Sequence, residues 1–205
     1  NQVLAVTKNI DRLKLTAPPE FAGAYDPHVW FDVTLWTNVA ETIRSALAKL
    51  MPSAEAHFQT RAKKYILQLE DLHIYVKEKA TQIEASKRVL VTAHDAFGYF
   101  GQAYGFEVRG LQGISTATEA GTADVRNLAQ FIADRKIPAI FVESSVPRQS
   151  IEAVQAAVQA RKFEVQIGGE LFSDAMGNPD TKEGTYIGMI QHNIDTIFDG
   201  LTGNN

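Results

Sequence analysis

Val89-Leu90-Val91-Thr92-Ala93-His94-Asp95-Ala96-Phe97-Gly98-Tyr99-Phe100 changes its period halfway along. An apolar, β-branched run ends at a histidine, and an aromatic-rich run with helical spacing begins directly after it. That junction reads as a buried parallel strand feeding a helix. His94 then stands at the carboxyl end of the strand, the edge at which open α/β sheets hold their ligands. A strand-end histidine is also a common core or capping residue, and at this point both readings stand.

Downstream the pattern repeats. Strand Val89–Thr92 leads to helix Ala96–Tyr104, stopped at Gly105, and strand Phe106–Arg109 leads through a Gly/Ser/Thr-rich loop to helix Ala123–Arg135. Strand Ala139–Val142 leads to helix Ser150–Arg161, and strand Glu164–Ile167 leads through a long loop to a last helix, about Thr185 to Leu201. Four such units predict an α/β lobe built on a four-stranded parallel sheet with helices on both faces. Carboxyl ends of parallel strands share one edge, so Glu143, ending the third strand, and Asp174, in the loop after the fourth, can converge on His94. An imidazole and a carboxylate meeting there make half of a metal shell. The loop Gly110–Gly121 resembles a phosphate loop only superficially, because it lacks the Gly-x-x-x-x-Gly-Lys-Ser/Thr pattern. Asp95 and Ser145 are read as helix caps.

Upstream, the stripe Phe58, Ala62, Tyr65, Leu69, Leu72, Val76, Ala80 and Ile83 predicts one helix from a cap at Ser53 to about Ala85. It would be roughly 45 to 50 Å long at 1.5 Å per residue, long enough to brace two lobes. A coiled-coil arm is the alternative, and the aromatic and alanine content of the stripe suits packing on a globular body better. Before it, Leu35, Val39, Ile43, Leu47 and Leu50 predict an amphipathic helix over Val33–Leu50, ended by Met51-Pro52. In Asp26-Pro27-His28-Val29-Trp30-Phe31-Asp32 the proline stiffens the turn that carries His28. Val3–Val6 reads as a short strand. Trp30, Trp36, Phe97 and Phe100 read as packing, and His57, His73 and His192 as ordinary helix residues away from any strand end.

The chain has 205 residues, 45% of them hydrophobic and 21% charged, with a net charge of −4 and no cysteine. This is the composition of a globular protein, without the basic footprint of a nucleic-acid binder or an apolar run long enough for a bilayer. Disulfides, zinc ribbons and thiol catalysis are excluded, and a cysteine-free chain fits an oxidising compartment.

The Asp26–Asp32 segment, Val91-Thr92-Ala93-His94-Asp95-Ala96-Phe97-Gly98-Tyr99-Phe100 with Ala103-Tyr104-Gly105, Phe172-Ser173-Asp174-Ala175-Met176-Gly177, and Glu183-Gly184-Thr185-Tyr186 occur in that order around the long helix. Together they resemble the zinc/manganese solute-binding proteins of ABC transporters, the TroA-like group. The resemblance implies two α/β lobes joined by a rigid helix, with a transported Zn²⁺ or Mn²⁺ held between them. It implies His28, His94 and Asp174 as metal ligands, with Glu143 a supporting acid. It also implies an extracytoplasmic location, periplasmic or cell-surface, and a permease as partner, and leaves open whether a lipid anchor lies upstream. Only the later two-thirds of such a protein is matched, so residues 1–51 would be a remnant of the amino-terminal lobe, 52–86 the connecting helix and 87–205 the carboxyl-terminal lobe. A start at Asn1 favours a segment of a longer chain, in which case a ligand from the preceding lobe is missing, metal binding is weak, and an exposed seam invites self-association. The competing expectation is a zinc hydrolase with an open coordination position, for which Glu143 is the one candidate base. A surface protein with a structural ion is a third.

Overall fold

The computed structural model describes residues 3–18, 23–114 and 120–204 and divides into two compact units, Asn1–Tyr75 and Val76–Asn205. In the first unit the expected strand at Val3–Val6 is irregular chain leading into a turn. A four-residue apolar run has no partner strand among the described residues there, and a lone strand cannot satisfy its own backbone. The segment is tied down instead by Asn9, whose amide donates to the buried Thr42 hydroxyl at 3.0 Å. Helix α1, Val33–Leu50, begins as read, because the Asp32 carboxylate accepts from the backbone N–H groups of Thr34 and Leu35. Its apolar stripe is only half used. Val33, Leu35 and Val39 are buried, while Leu50 is exposed and Ile43 and Leu47 border an open groove that Phe58, Ala62 and Tyr65 also line.

Helix α2, Glu55–Gln82, spans the division between the units and is about 42 Å long at 1.5 Å per residue. Ser53 does not cap it. That residue lies inside a 3-10 turn, Pro52–Ala54, which the fixed φ of proline favours, and the helix proper starts after it. Nor does it reach Ala85: Glu84 turns to an extended conformation, and the Arg88 guanidinium caps the helix by donating to the Ile83 carbonyl at 2.9 Å.

The second unit alternates strand and helix as the sequence predicts. Strand β1 is Val89–His94, helix α3 Gly98–Tyr104, β2 Glu107–Gln112, α4 Thr122–Arg135, β3 Ala139–Glu143, α5 Gln149–Gln159, β4 Gln166–Leu171 and α6 Tyr186–Thr202. Each ladder is parallel, and in place of the single four-stranded sheet expected from the sequence the hydrogen bonds form two pairs, β1–β2 and β3–β4, with β1 beside β3. Every residue of β1 and β3 is buried, as expected of strands covered on both faces. Val89, Val91, Ile140 and Val142 join Leu128, Ile132, Ile151 and Val154 of α4 and α5 in one core. The alternate residue Phe141 faces α6 at Gly200.

Helix α3 stops at Gly105 because that residue takes the left-handed conformation, φ +77°, that closes a helix at little cost to glycine. Neither expected serine or aspartate cap is formed. Phe97 precedes α3, leaving Asp95 outside it, and Ser145 bonds to Ser173 rather than to α5. The Gly/Ser/Thr-rich loop has residues 115–119 outside the described part.

Helix α6 is packed hard against the 3-10 turn Lys182–Gly184 that precedes it. A Cβ on Gly188 would collide with the Lys182 carbonyl oxygen, a backbone atom that cannot rotate away. Gly188→Ala is therefore expected to destabilise the chain by about 1–3 kcal/mol, the usual cost of overpacking, as measured by denaturant unfolding.

Candidate metal centre

Each unit carries one buried histidine anchored by a carboxylate. In the first, Asp26 Oδ1 accepts from the His28 backbone N–H at 2.9 Å and lies 2.7 Å from His28 Nδ1. Asp26 is in turn held by its own N–H, which donates to the Thr16 carbonyl at 2.9 Å. The 3-10 turn Val29–Phe31 follows at once, and the Trp30 ring meets the imidazole edge-on at 5.1 Å. A carboxylate can only accept, so the proton of the neutral ring sits on Nδ1 and Nε2 keeps its lone pair. That is the form in which histidine binds a metal.

The second unit repeats the device over a longer span. His94 ends β1 with 0% of its side chain exposed, and its Nδ1 is 2.6 Å from Glu143 Oε2 at the end of β3. Glu143 Oε1 accepts from the His94 backbone N–H at 2.8 Å. Oε1 is thus hydrogen-bonded to the His94 main chain while Oε2 stands in close contact with its ring. The His94 carbonyl is satisfied as well, by the Thr92 hydroxyl at 2.8 Å and the Ala96 N–H at 3.0 Å. Nε2 points at Asp174, whose Oδ2 is 3.5 Å away on a side chain 40% exposed. Two ligands of a tetrahedral zinc with bonds of about 2.05 Å stand ~3.3 Å apart, so this pair is already near coordination spacing.

Of the residues singled out in the sequence, His94, Glu143 and Asp174 therefore come together at one sheet edge, and His28 carries the matching device in its own unit. Glu143, the base expected of a hydrolase, has Oε1 on the His94 backbone N–H and Oε2 beside the His94 ring. His192 is not remote from the strands: its Nε2 lies 2.9 Å from the Glu170 carbonyl of β4 and its ring packs on Phe172 at 5.0 Å. The sequence reading missed Asn193, buried on α6, whose amide holds Phe172. Its signal was a polar residue inside the apolar stripe Tyr186, Ile190, Ile194 and Ile197 of that helix.

Burial alone pulls the His94 imidazole down. The hydrogen bond and charge of Glu143, then the charges of Asp174 and Asp95, outweigh it and hold the pKa above the ordinary histidine value. A group whose folded-state pKa is raised stabilises the fold fully below the unfolded value, about 6.5, and loses that contribution as pH rises through the folded value. Metal-free protein should accordingly become less stable across that window. Glu143→Gln leaves one N–H of His94 facing an amide NH₂, which should cost about 1–3 kcal/mol and flatten this pH dependence, as followed by thermal melts from acid to alkaline pH.

The zinc-uptake complex component A periplasmic family (ZnuA) matches residues 1–200. The zinc-binding protein TroA of Treponema pallidum is 58% identical over 177 residues, which cover 86% of this chain and 58% of that protein. The manganese-binding lipoprotein MntA of Bacillus subtilis is 44% identical over 200 residues, 98% of this chain and 65% of that one. The chain thus spans less than two thirds of the length of either relative. The solved structure of the periplasmic zinc-binding protein TroA from Treponema pallidum superposes with a TM-score of 0.93 at 54% identity, over 97% of this chain and 71% of that one. With two carboxylate-anchored imidazoles on an α/β framework of this kind, the chain belongs to the ZnuA family of periplasmic zinc-uptake components.

Proposed function

We propose that the chain is the greater part of the solute-binding component of an ABC importer, working outside the cytoplasmic membrane and handing a divalent transition-metal ion to a permease. The ion is Zn²⁺ or Mn²⁺, carried as cargo, and the residues that take it are His28 Nε2, His94 Nε2 and the Asp174 carboxylate. Residues 1–51 then belong to an amino-terminal lobe, 52–86 to the connecting helix and 87–205 to the carboxyl-terminal lobe. The observation that carries this reading is the pairing of each buried imidazole with its own carboxylate, Asp26 for His28 and Glu143 for His94. Such outer partners fix the ligand tautomer and raise its basicity, and a purely structural core histidine has no need of both. Imidazole and carboxylate suit zinc in four-coordination, and a two-oxygen Asp174 would suit manganese, while raw affinity follows the Irving–Williams order and favours zinc.

Carriage rather than catalysis is supported by the relatives named above, which are binding proteins.

Titration calorimetry with Zn²⁺ and with Mn²⁺ tests the assignment. Zn²⁺ is expected to bind more tightly than Mn²⁺, His94→Ala to weaken both by about 100-fold or more, and His73→Ala to change neither. Undiminished binding in His94→Ala would overturn the reading.

A further inference from the structure

Asp174 stands beyond the end of β4 on a side chain open to solvent, yet its carboxylate is held 3.5 Å from a fully buried imidazole. Something must hold its backbone. The last main-chain bond between neighbouring strands here is from the Ser144 N–H to the Leu171 carbonyl, 2.9 Å. At the next residue the amide side chain of Asn193, 1% exposed on α6, takes over: its Oδ1 accepts from the Phe172 N–H at 2.9 Å and its Nδ2 donates to the Phe172 carbonyl at 2.8 Å. A primary amide carries one acceptor and donors on one rigid plane, so it can stand in for the peptide group of an adjacent strand. The ladder is in effect continued by a helix side chain, two residues short of Asp174. Ser173, also buried, is secured from the other side by the Ser145 hydroxyl at 2.6 Å.

We infer that Asn193 is a positioning residue for metal capture: by clamping both backbone groups of Phe172 it sets where the Asp174 carboxylate stands against His94. This rests on the proposed site. With Asn193 gone, the Phe172 N–H and carbonyl would have to reach water, and the shortest route is outward movement of the segment that carries Asp174. An amphipathic helix needs no asparagine at this buried place; an apolar residue would pack it and leave β4 to fray.

The test uses Zn²⁺ as the probe with the full chain in a double-mutant cycle, since coupling between two positions separates an effect through Asp174 from general loosening. Asn193→Ala should weaken Zn²⁺ about tenfold or more in the parent and less than twofold when Asp174→Ala is already present. In metal-free protein the amides of residues 172–174 should exchange faster in Asn193→Ala. Asn193→Ser, which keeps a polar group in the cavity, carries the same comparison if the alanine variant does not fold. Equal weakening in both backgrounds, or no weakening in either, overturns the inference and leaves the site standing. If Asp174→Ala binds Zn²⁺ as the parent does, the site assignment itself fails; unchanged amide exchange, read without metal, would then overturn the clamp separately.

Discussion

The contact between His94 and Glu143 governs the second unit. Two ionisable side chains with no exposed surface meet at the ends of β1 and β3, and removing either partner would strand a charge or a donor in a dry interior. Its requirements reach far back into the fold. The ends of the two strands must come close enough for Glu143 to reach both the ring and the main chain of His94. The residue after each strand must turn away without orphaning the His94 carbonyl, which the Thr92 hydroxyl and the Ala96 N–H prevent. What remains, once Nδ1 and the main chain are satisfied, is one nitrogen directed at Asp174.

His28 meets the same chemical demand by local means. Asp26 is two residues away and Pro27 lies between them, so a tight turn suffices to bring one carboxylate oxygen onto both the ring and the main-chain N–H. His94 and Glu143 are separated by 49 positions and depend on a folded sheet to meet. The short-range device can form with little tertiary structure, whereas the long-range one reports directly on the integrity of the lobe. Each places the imidazole Nδ1 against a carboxylate, 2.7 Å from Asp26 in one unit and 2.6 Å from Glu143 in the other.

Much of this was legible in the chain. Strand–helix alternation after Lys87, the start of α1 at Val33, the glycine stop after Tyr104 and the position of His94 at a strand end all follow from periodicity and turn chemistry. The misreadings share one cause, that a local pattern was taken without its neighbours. Val3–Val6 has the composition of a strand, but a strand exists only beside another. Ser53, Asp95 and Ser145 are good caps by type, yet proline geometry claimed the first, a late helix start bypassed the second and Ser173 engaged the third.

The chain by itself determined the elements, the order of the four motifs and the identities of the histidines and carboxylates, since these depend on spacing and residue type over a few turns. Tertiary structure alone decided what each meets: that Glu143 faces the main chain and ring of His94, and that the Asn193 amide holds both backbone groups of Phe172 just beyond β4. The reason is physical. A carboxylate or an amide acquires its role from the donors it faces, and those donors are brought to it by strands and helices dozens of residues away, a fact about space that no local pattern contains.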